Sequence, residues 1–485
     1  MEDIELDIAA ITKRSIHGVF ALVSRTFIVQ AITLIANFLL TIYLSPQVFG
    51  VYFIVTAIIA FLTYFSDIGL AAALIQKKEA ITEEDLRTTF TIQQALVVGV
   101  VIIALCASPF VANFYHLNVS GVFLFDALVI SFFFSSLKTI PSIILERNLH
   151  FEKIVIPEIV ETFLFNAVAL FLAVKGFGVS SFTWAVLLRG IAGVITIYII
   201  CPWKIRLGFS KKEAKTLLSF GIPFQLNSFL ALLKDDLVVA FIGKVLPLAQ
   251  VGYVGFAQKW SLAPLQLIME NIVRITFPSY ARLQHDTVHL VKAIEKSLFA
   301  LTLVIFPILI GLITLAPLFI HIIPRYQKWE PALMSLTLFT LSSATATIST
   351  PLTNALNAIG KIKTSLWLMV MWTMLTWILT PILIFTIGYN GYAWASLIIS
   401  LTVVVVVVVT RKYIPFSLKH IWSPGLAAIC MGGILYELLK VVPQNIFSLI
   451  GLILLGGISY LGIVFLLARQ EVIADVQLIR KQFIH

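Results

Sequence analysis

The sequence predicts an all-α integral membrane protein with about 14 transmembrane helices. Of its 485 residues, 60% are hydrophobic and only 12% are charged, whereas a soluble domain carries about 25% charged residues. The apolar runs are long enough for helices of about 20 residues, the length that crosses a bilayer. No segment shows the alternation of apolar and polar residues that marks a transmembrane β-barrel. A helical bundle in the membrane is therefore predicted.

Fourteen apolar segments define the predicted helices. They lie at about residues 15–44, 48–75, 89–113, 119–143, 153–174, 180–201, 217–244, 249–275, 293–322, 331–357, 363–387, 391–410, 422–440 and 445–467. Residues 1–14 are polar and acidic and no small-residue cleavage site follows, so we expect no cleaved signal peptide. Residues 210–218 are basic and amphipathic, which indicates either a helix on the inner membrane surface or a solvated linker.

The basic residues predict the orientation. With the N-terminus inside, 25 of the 34 Lys and Arg residues fall on the cytoplasmic side, five fall outside and four lie within the membrane. The outer five are Lys175, Lys244, Arg325, Lys328 and Lys440. This positive-inside pattern places the protein in the cytoplasmic membrane with both termini in the cytoplasm. It also accounts for the net charge of +10, so no nucleic-acid partner is expected.

The three cysteines do not form a framework. Cys106, Cys201 and Cys430 all lie in or beside apolar runs. We expect small packing residues rather than a disulfide or a metal site.

An internal repeat divides the chain. At an offset of about 202–210 residues, the stretch 44–50 (LSPQVFG) matches 246–252 (LPLAQVG), and 182–185 (FTWA) matches 392–395 (YAWA). The offset carries helix 1 onto helix 7, six crossings later, so both halves have the same orientation. Two lobes related by a parallel pseudo-two-fold axis are therefore predicted, as in parallel-repeat transporters.

The predicted boundaries follow from this repeat. They are residues 1–205 for helices 1–6, residues 206–415 for helices 7–12, and residues 416–485 for helices 13–14 and a cytoplasmic tail. Helices 13 and 14 are either an accessory pair or the walls of a lipid-facing groove.

Charged residues inside the spans are the candidate functional residues, because an ionisable group at membrane depth is costly and usually faces a partner, water or a substrate. They are Arg25 on helix 1, Asp67 on helix 2, Glu158 and Glu161 on helix 5, Arg189 on helix 6, Lys234, Asp235 and Asp236 on helix 7, and Lys259 on helix 8. Helices 1, 2, 7 and 8 are repeat equivalents, so these charges predict a central cavity between the lobes.

Helical periodicity divides the charged triplet on helix 7. At 100° per residue, Lys234 and Asp235 share one face with Asn227, while Asp236 points to the opposite side. We therefore expect Lys234 and Arg25 to face each other across the lobe interface, with Asp235 beside them. Gly221 and Pro223 precede this face and are the candidate hinge; an ordinary static kink is the alternative.

The residue types suggest roles. Arg25, Arg189, Lys234 and Lys259 would bind an anionic substrate, for which phosphate is the obvious group. Asp67, Asp235 and Asp236 would bind the H⁺ or Na⁺ that drives transport, and no other cofactor or metal is expected. In the alternative interpretation, Lys234 only neutralises Asp235 or Asp67, and Arg189 is a structural partner of Glu158 or Glu161.

Several motifs resemble those of a transporter family. They are residues 44–50 (LSPQVFG), 67–70 (DIGL), 73–78 (ALIQKK), 145–151 (LERNLHF), 277–284 (FPSYARLQ) and 355–361 (ALNAIGK). Together they resemble the Wzx-type polysaccharide repeat-unit flippases of the multidrug/oligosaccharidyl-lipid/polysaccharide exporter superfamily, over residues of about 15–410.

This resemblance implies a transport function. The cargo would be a polyprenyl-diphosphate-linked oligosaccharide, moved from the inner to the outer leaflet by ion-driven alternating access. Partners would be membrane lipids, a polysaccharide polymerase and glycosyltransferases. An exporter of drugs or of other lipids, including a peptidoglycan precursor, is the alternative. A membrane glycosyltransferase or polymerase is disfavoured because the outer loops are short and carry no clustered carboxylates, so we predict that the protein is not an enzyme.

Overall fold

The computed structural model describes residues 8–64, 69–77, 79 and 81–469, without the side chains of residues 8–23, 216, 220–231, 270 and 274. The described part is all-helical, with 17 α-helices and one short 3-10 helix. It divides into two compact units, Met1–Gly252 and Tyr253–His485. This confirms the predicted all-α class.

The first unit contains nine helices in the described part and the start of a tenth. They are α1 (Ile8–Tyr43), α2 (Pro46–Tyr64), α3 (Leu70–Gln76), α4 (Glu83–Tyr115), α5 (Val119–Leu137), α6 (Thr139–Arg147), α7 (Phe151–Val174), α8 (Ser180–Ile200), α9 (Lys211–Val245) and α10 (Leu248–Arg282). Helix α9 packs on α2, α3 and α4 of the same unit. The predicted lobe boundaries rest on the repeat and stay a prediction.

The second unit contains the rest of α10 and the helices that follow. They are α11 (Thr287–Ile322), the 3-10 helix (Gln327–Ala332), α12 (Leu333–Ala358), α13 (Ile362–Ile387), α14 (Asn390–Ser400), α15 (Val403–Arg411), α16 (Lys419–Leu439) and α17 (Ile446–Leu467). Three apolar clusters stabilise the described part of this unit: one around Leu356, Leu368 and Ile414, one between α11, α16 and α17, and one between α10 and α11.

Twelve helical segments in the described part are long and apolar enough to cross a membrane. They coincide with predicted helices 1–6 and 9–14. Predicted helices 7 and 8 correspond to α9 and α10, which have 35 residues each and whose side chains are described only in part. The multi-pass membrane architecture is confirmed, and the exact count of 14 stays a prediction.

Three predicted helices are interrupted. Predicted helix 2 is α2 followed by α3, which begins after Gly69 with a left-handed φ of 71°. Predicted helix 4 is α5 and α6, and predicted helix 12 is α14 and α15. Apolar composition predicts depth in the membrane but does not detect a local break in the helix, which is why the sequence predicted single spans.

Proline explains the break between α5 and α6. Pro141 has no N–H, so the carbonyl of Leu137 loses its partner within the helix. The hydroxyl of Tyr198 donates to this carbonyl instead, at 3.0 Å. The break leaves Lys138 at the junction, between the two helices.

The basic stretch 210–218 is not a separate surface helix or a linker. It contains the first turns of α9, and Ala214 and Leu217 are buried in the first unit. Leu217 packs with Leu70, Leu86 and Ile140. The prediction was wrong because a basic amphipathic pattern does not distinguish a lipid surface from a protein surface as the partner of the apolar face.

Polar contacts fix this end of α9. Lys77 bonds the buried carboxylate of Asp85 at 2.7 Å and Glu213 of α9 at 3.1 Å. Burial alone would lower the pKa of Lys77, but its bonds to the two carboxylates outweigh this effect and raise it. The guanidinium of Arg147 donates to the carbonyls of Leu74 at 2.8 Å and of Lys77 at 2.5 Å. These contacts join α3, α4, α6 and α9.

The cysteines are only partly as predicted. All three are free, and Cys106 and Cys430 are exposed on the helix surface, whereas Cys201 is half-buried. Two of them are therefore not packing residues.

Two glycines let the starts of α2 and α10 touch. A Cβ atom at Gly50 would lie 1.8 Å from the carbonyl oxygen of Leu248, and one at Gly252 would lie 1.9 Å from the carbonyl oxygen of Pro46. The contacts are reciprocal, because Gly50 and Gly252 are related by the repeat offset of 202 residues, and so are Pro46 and Leu248. Reciprocal contacts are typical of a two-fold axis. Over this stretch the predicted repeat is therefore visible in the packing.

We predict that Gly50→Ala and Gly252→Ala each destabilise the protein by about 3 kcal/mol, because the methyl group overlaps a backbone carbonyl that cannot move alone. The measurement is the thermal denaturation midpoint in detergent. Gly99→Ala on α4 is the matched control, since nothing lies within 4 Å of its added Cβ. Equal midpoints for all three variants would contradict the close contact.

Candidate functional site

Five charged side chains meet among the helices of the first unit. This ion cluster consists of Arg25 on α1, Lys138 between α5 and α6, Glu158 and Glu161 on α7, and Arg189 on α8. Arg25 pairs with Glu158, and Lys138 pairs with Glu161. Arg189 Nε lies 3.5 Å from Glu161 Oε2.

The sequence dictates this geometry locally. Glu158 and Glu161 are three residues apart, so they lie on one face of α7. Helix α7 packs along α1 and α8, which bring Arg25 and Arg189 to that face. The proline-induced break before α6 supplies Lys138. The sequence interpretation missed Lys138 because it counted this residue with the cytoplasmic set; Pro141, three residues later, was the available signal.

A glycine makes room for the central carboxylate. A Cβ atom at Gly193 of α8 would lie 2.1 Å from Glu161 Oε1. Only a residue without a side chain therefore lets α8 approach α7 while Glu161 stays in place. The carboxylate rests against bare helix backbone on this side and against its two cations on the others.

Burial and charge are distributed unevenly in the ion cluster. The side chains of Glu161 and Lys138 are 8% and 19% exposed, whereas that of Arg189 is 49% exposed. Three cations face two carboxylates, so the cluster carries a formal surplus of one positive charge. Because Arg25 and Arg189 are the more accessible cations, they can present this charge to an anion.

Arg189 has a carboxylate partner of the kind that the structural alternative considered. It contacts Glu161, one of the two structural partners considered for it, and its guanidinium lies 5.9 Å from the ring centroid of Phe165. Nearby, the ring of Tyr52 stacks on that of Phe182, with 4.2 Å between the ring centroids. A half-exposed guanidinium held by a carboxylate and a ring is oriented, yet part of it stays open to a ligand.

The charged triplet lies within α9, which continues beyond it to Val245. Lys234 Nζ donates to Asp235 Oδ1 at 2.6 Å, and the Asp235 side chain is 61% exposed. This is the pairing considered as the structural alternative, and it also places both groups on one face. Among the described side chains, none forms an ion pair with Asp236, which is half-buried.

Other predicted site residues are not brought together by described contacts. Asp67 lies outside the described residues, and Gly221 and Pro223 are described only as part of the backbone of α9. Lys259 is exposed on the part of α10 that belongs to the second unit. The predicted approach of Lys234 to Arg25 stays a prediction. Among the described residues, no group of three or more His, Cys, Asp or Glu side chains is placed to hold a metal ion.

The family model described as "Polysaccharide biosynthesis protein" matches residues 39–334, more than half of the chain. The chain belongs to this family. The resemblance to polysaccharide flippases that the motifs indicated is thereby confirmed.

Proteins with similar sequences come from several bacteria. It is 28% identical over 302 residues to the teichuronic acid biosynthesis protein TuaB of Bacillus subtilis (strain 168), a match that spans 61% of each chain. It is 21% identical over 443 residues to the succinoglycan biosynthesis transport protein ExoT of Rhizobium meliloti (strain 1021), covering 88% of this chain and 87% of that one.

Two solved structures share the fold. The lipid II flippase MurJ superposes with a TM-score of 0.75 at 18% identity, covering 93% of this chain and 99% of that chain. A MATE family multidrug resistance transporter of the MOP superfamily superposes with a TM-score of 0.61 at 16% identity. This match covers 81% of this chain and 97% of that chain. The chain therefore shares its fold with these two transporters.

We predict that Glu161→Ala lowers the free energy of unfolding by about 3 kcal/mol, because it leaves Lys138 buried without a counter-charge. Thermal denaturation in detergent measures the change. Glu152→Ala is the control: this carboxylate pairs with His150 at the start of α7 and is 50% exposed, so its loss should cost less than about 1 kcal/mol. Equal losses in the two variants would show that the ion cluster is not a buried network.

Proposed function

We propose that this protein is a flippase that moves a polyprenyl-diphosphate-linked oligosaccharide repeat unit from the inner to the outer leaflet for surface polysaccharide biosynthesis. The observation that carries this proposal is the ion cluster. Membrane-spanning helices hold three cations against two carboxylates there, and the two more accessible cations are guanidinium groups. An anionic head group that must cross the bilayer needs such a partner at depth.

The chemistry of the ion cluster suits a diphosphate. Guanidinium groups bind phosphate oxygens through paired N–H donors. Arg25 contacts Glu158 and Arg189 contacts Glu161 in the absence of substrate, so each guanidinium has a carboxylate beside it in the membrane. A diphosphate would replace part of these contacts, while Glu161 continues to hold the buried Lys138.

The second group of predicted residues would couple this exchange to an ion gradient. Lys234 and Asp235 form an accessible pair on α9, and Asp236 lies beside them. In this proposal Lys234 and Lys259 also bind the anionic substrate, and Asp67, Asp235 and Asp236 bind H⁺ or Na⁺. Gly221 and Pro223 would let α9 bend between inward-open and outward-open states.

The names of the relatives support the proposed transport function. TuaB is named for the biosynthesis of teichuronic acid, and ExoT is named as a transport protein of succinoglycan biosynthesis. MurJ is named as a flippase of lipid II. ExoT and MurJ are thus named as a transport protein and a flippase rather than as enzymes, in agreement with the sequence interpretation. The protein would act in the cytoplasmic membrane with both termini inside, alongside a polysaccharide polymerase and glycosyltransferases.

A second candidate function stays within the same superfamily. The fold is shared with a lipid II flippase and with a multidrug transporter, so a drug or another polyprenyl-linked lipid is the competing cargo. The surplus cation of the ion cluster favours a diphosphate lipid over cationic drugs, because a cationic drug would be repelled there.

We predict that Arg25→Ala, Arg189→Ala and Lys234→Ala abolish surface polysaccharide while the protein remains in the membrane. The measurement is polymer at the cell surface of a strain that lacks the chromosomal copy and carries each variant, with the membrane amount determined by immunoblotting. Lys175→Ala is the control, because this cation lies at the end of α7, outside the ion cluster. Normal polymer in the three variants would remove the anionic-substrate site.

We predict that Asp235→Asn separates transport from the ion gradient, because the amide cannot take up or release a proton and binds Na⁺ more weakly. Transport of a lipid-linked oligosaccharide is followed in vesicles with and without an imposed gradient. The wild-type rate should rise with the gradient and the variant rate should not. An unchanged gradient dependence would exclude Asp235 as the coupling residue.

A further inference from the structure

A groove of about 480 Å³ lies between α11 and α16 of the second unit. Both helices are long and apolar enough to span the membrane, so lipid surrounds this surface. We propose that the groove is a binding site for one zwitterionic phospholipid of the bilayer. One acyl chain would lie between the helices, with the phosphate at Lys440 and the ammonium group at Glu437.

The shape of the groove follows from a glycine. A Cβ atom at Gly432 would lie 2.6 Å from Cγ2 of Ile310, so α16 touches α11 at this level. From Gly432 the groove follows α16 to Lys440, eight residues or about 12 Å along the helix. A narrow channel that runs parallel to a membrane-spanning helix fits a linear acyl chain.

The lining changes polarity along the same direction. Ile313 and Leu318 of α11 give an apolar surface. The end of the groove at the helix termini is lined by His321, Lys440 and Gln444. Tyr436 lies between the two parts, with an apolar ring and a polar hydroxyl. A phospholipid has the same order of groups, from hydrocarbon to a charged head group at the interface.

The polar end is fixed before any ligand arrives. Lys440 Nζ donates to Glu437 Oε1 at 2.7 Å and lies 4.6 Å from the centroid of the Tyr436 ring. The hydrogen bond to Glu437 raises the pKa of Lys440, so this ammonium group is charged at neutral pH. Its side chain is still 53% exposed. The ring nitrogen Nδ1 of His321 donates to the carbonyl of Pro317 at 2.8 Å, which sets the ring orientation.

The charges at this end select the head group. Lys440 and Glu437 form a neutral pair of opposite charges. Phosphatidylethanolamine carries a phosphate and an ammonium group, so each member of the pair gains a counter-charge from it. An anionic lipid such as phosphatidylglycerol would satisfy Lys440 and leave Glu437 facing a like charge.

The site is independent of the proposed cargo site. Its lining residues all belong to α11, α16 and the segment after α16, and no member of the ion cluster is among them. A failure of the groove proposal would therefore leave the flippase proposal untouched, and the reverse also holds.

The test is photolabelling of the full-length protein in vesicles by phosphatidylethanolamine with a photoactivatable group in one acyl chain. We expect labelled peptides from residues 310–321 and 432–444. Leu318→Trp, which fills the groove, should reduce this labelling at least fivefold. Lys440→Gln, which leaves the groove open, should reduce it about fivefold, the effect of one cation at a lipid surface.

Matched controls distinguish a site from general contact with lipid. Leu461→Trp changes a residue of α17 that is 65% exposed, and Lys175→Gln removes a cation from the end of α7; both should leave the labelling of the groove unchanged. Equal labelling of Leu318→Trp and the wild type would overturn the proposal. Equal labelling by a phosphatidylglycerol probe would overturn the head-group assignment, and labelling by a polyprenyl phosphate probe alone would assign the groove to cargo instead.

Discussion

A carboxylate buried among membrane-spanning helices has to be neutralised by its neighbours, and the first unit is organised around that requirement at Glu161. Desolvation makes an unpaired charge there costly by several kcal/mol. Lys138 and Arg189 supply the counter-charges from two different elements, and Gly193 supplies the space. The break between α5 and α6, the close packing of α7 on α8 and the orientation of Arg189 are all tied to this one side chain.

The same requirement explains why the more exposed half of the ion cluster can exchange partners. Arg25 and Glu158 have side chains that are 28% and 40% exposed, so water screens part of their interaction. Substituting a phosphate oxygen for a carboxylate oxygen at Arg25 then changes the electrostatic energy little. At Glu161 the same substitution would require a buried cation to lose its partner. The ion cluster therefore combines a fixed part and an exchangeable part.

Much of this was accessible from the sequence, for physical reasons. The low fraction of charged residues and the long apolar runs determine a helical membrane protein, and the spacing of Glu158 and Glu161 places both on one face. Composition does not reveal where helices break, so α3, α6 and α15 were merged with their neighbours. Lys138 illustrates the difficulty: its role depends on the proline at 141 and on the packing of three other helices. The partners of Arg25 and Arg189 likewise depend on tertiary contacts that no periodicity specifies.

The first turns of α9 show a related limit. An amphipathic pattern states that one face is apolar, but it does not state what covers that face. Leu217 is covered by Leu70, Leu86 and Ile140 of the same unit, and Glu213 completes the environment of Lys77. The prediction of a surface helix was wrong for this reason. The repeat, in contrast, is visible in the packing at Gly50 and Gly252, because each glycine is required by the contact itself.

That glycine contact also constrains how the gene can be recombined. Each glycine is the space into which the other segment's carbonyl fits, so residues 46–50 and 248–252 form one interlocking unit although about 200 residues separate them. A chimaera that takes the first stretch from one parent and the second from another joins surfaces that were not shaped together. Crossover points that take both stretches from the same parent preserve this contact. Shuffling of relatives is therefore safest when it exchanges either the whole segment between the two stretches or the whole segments outside them.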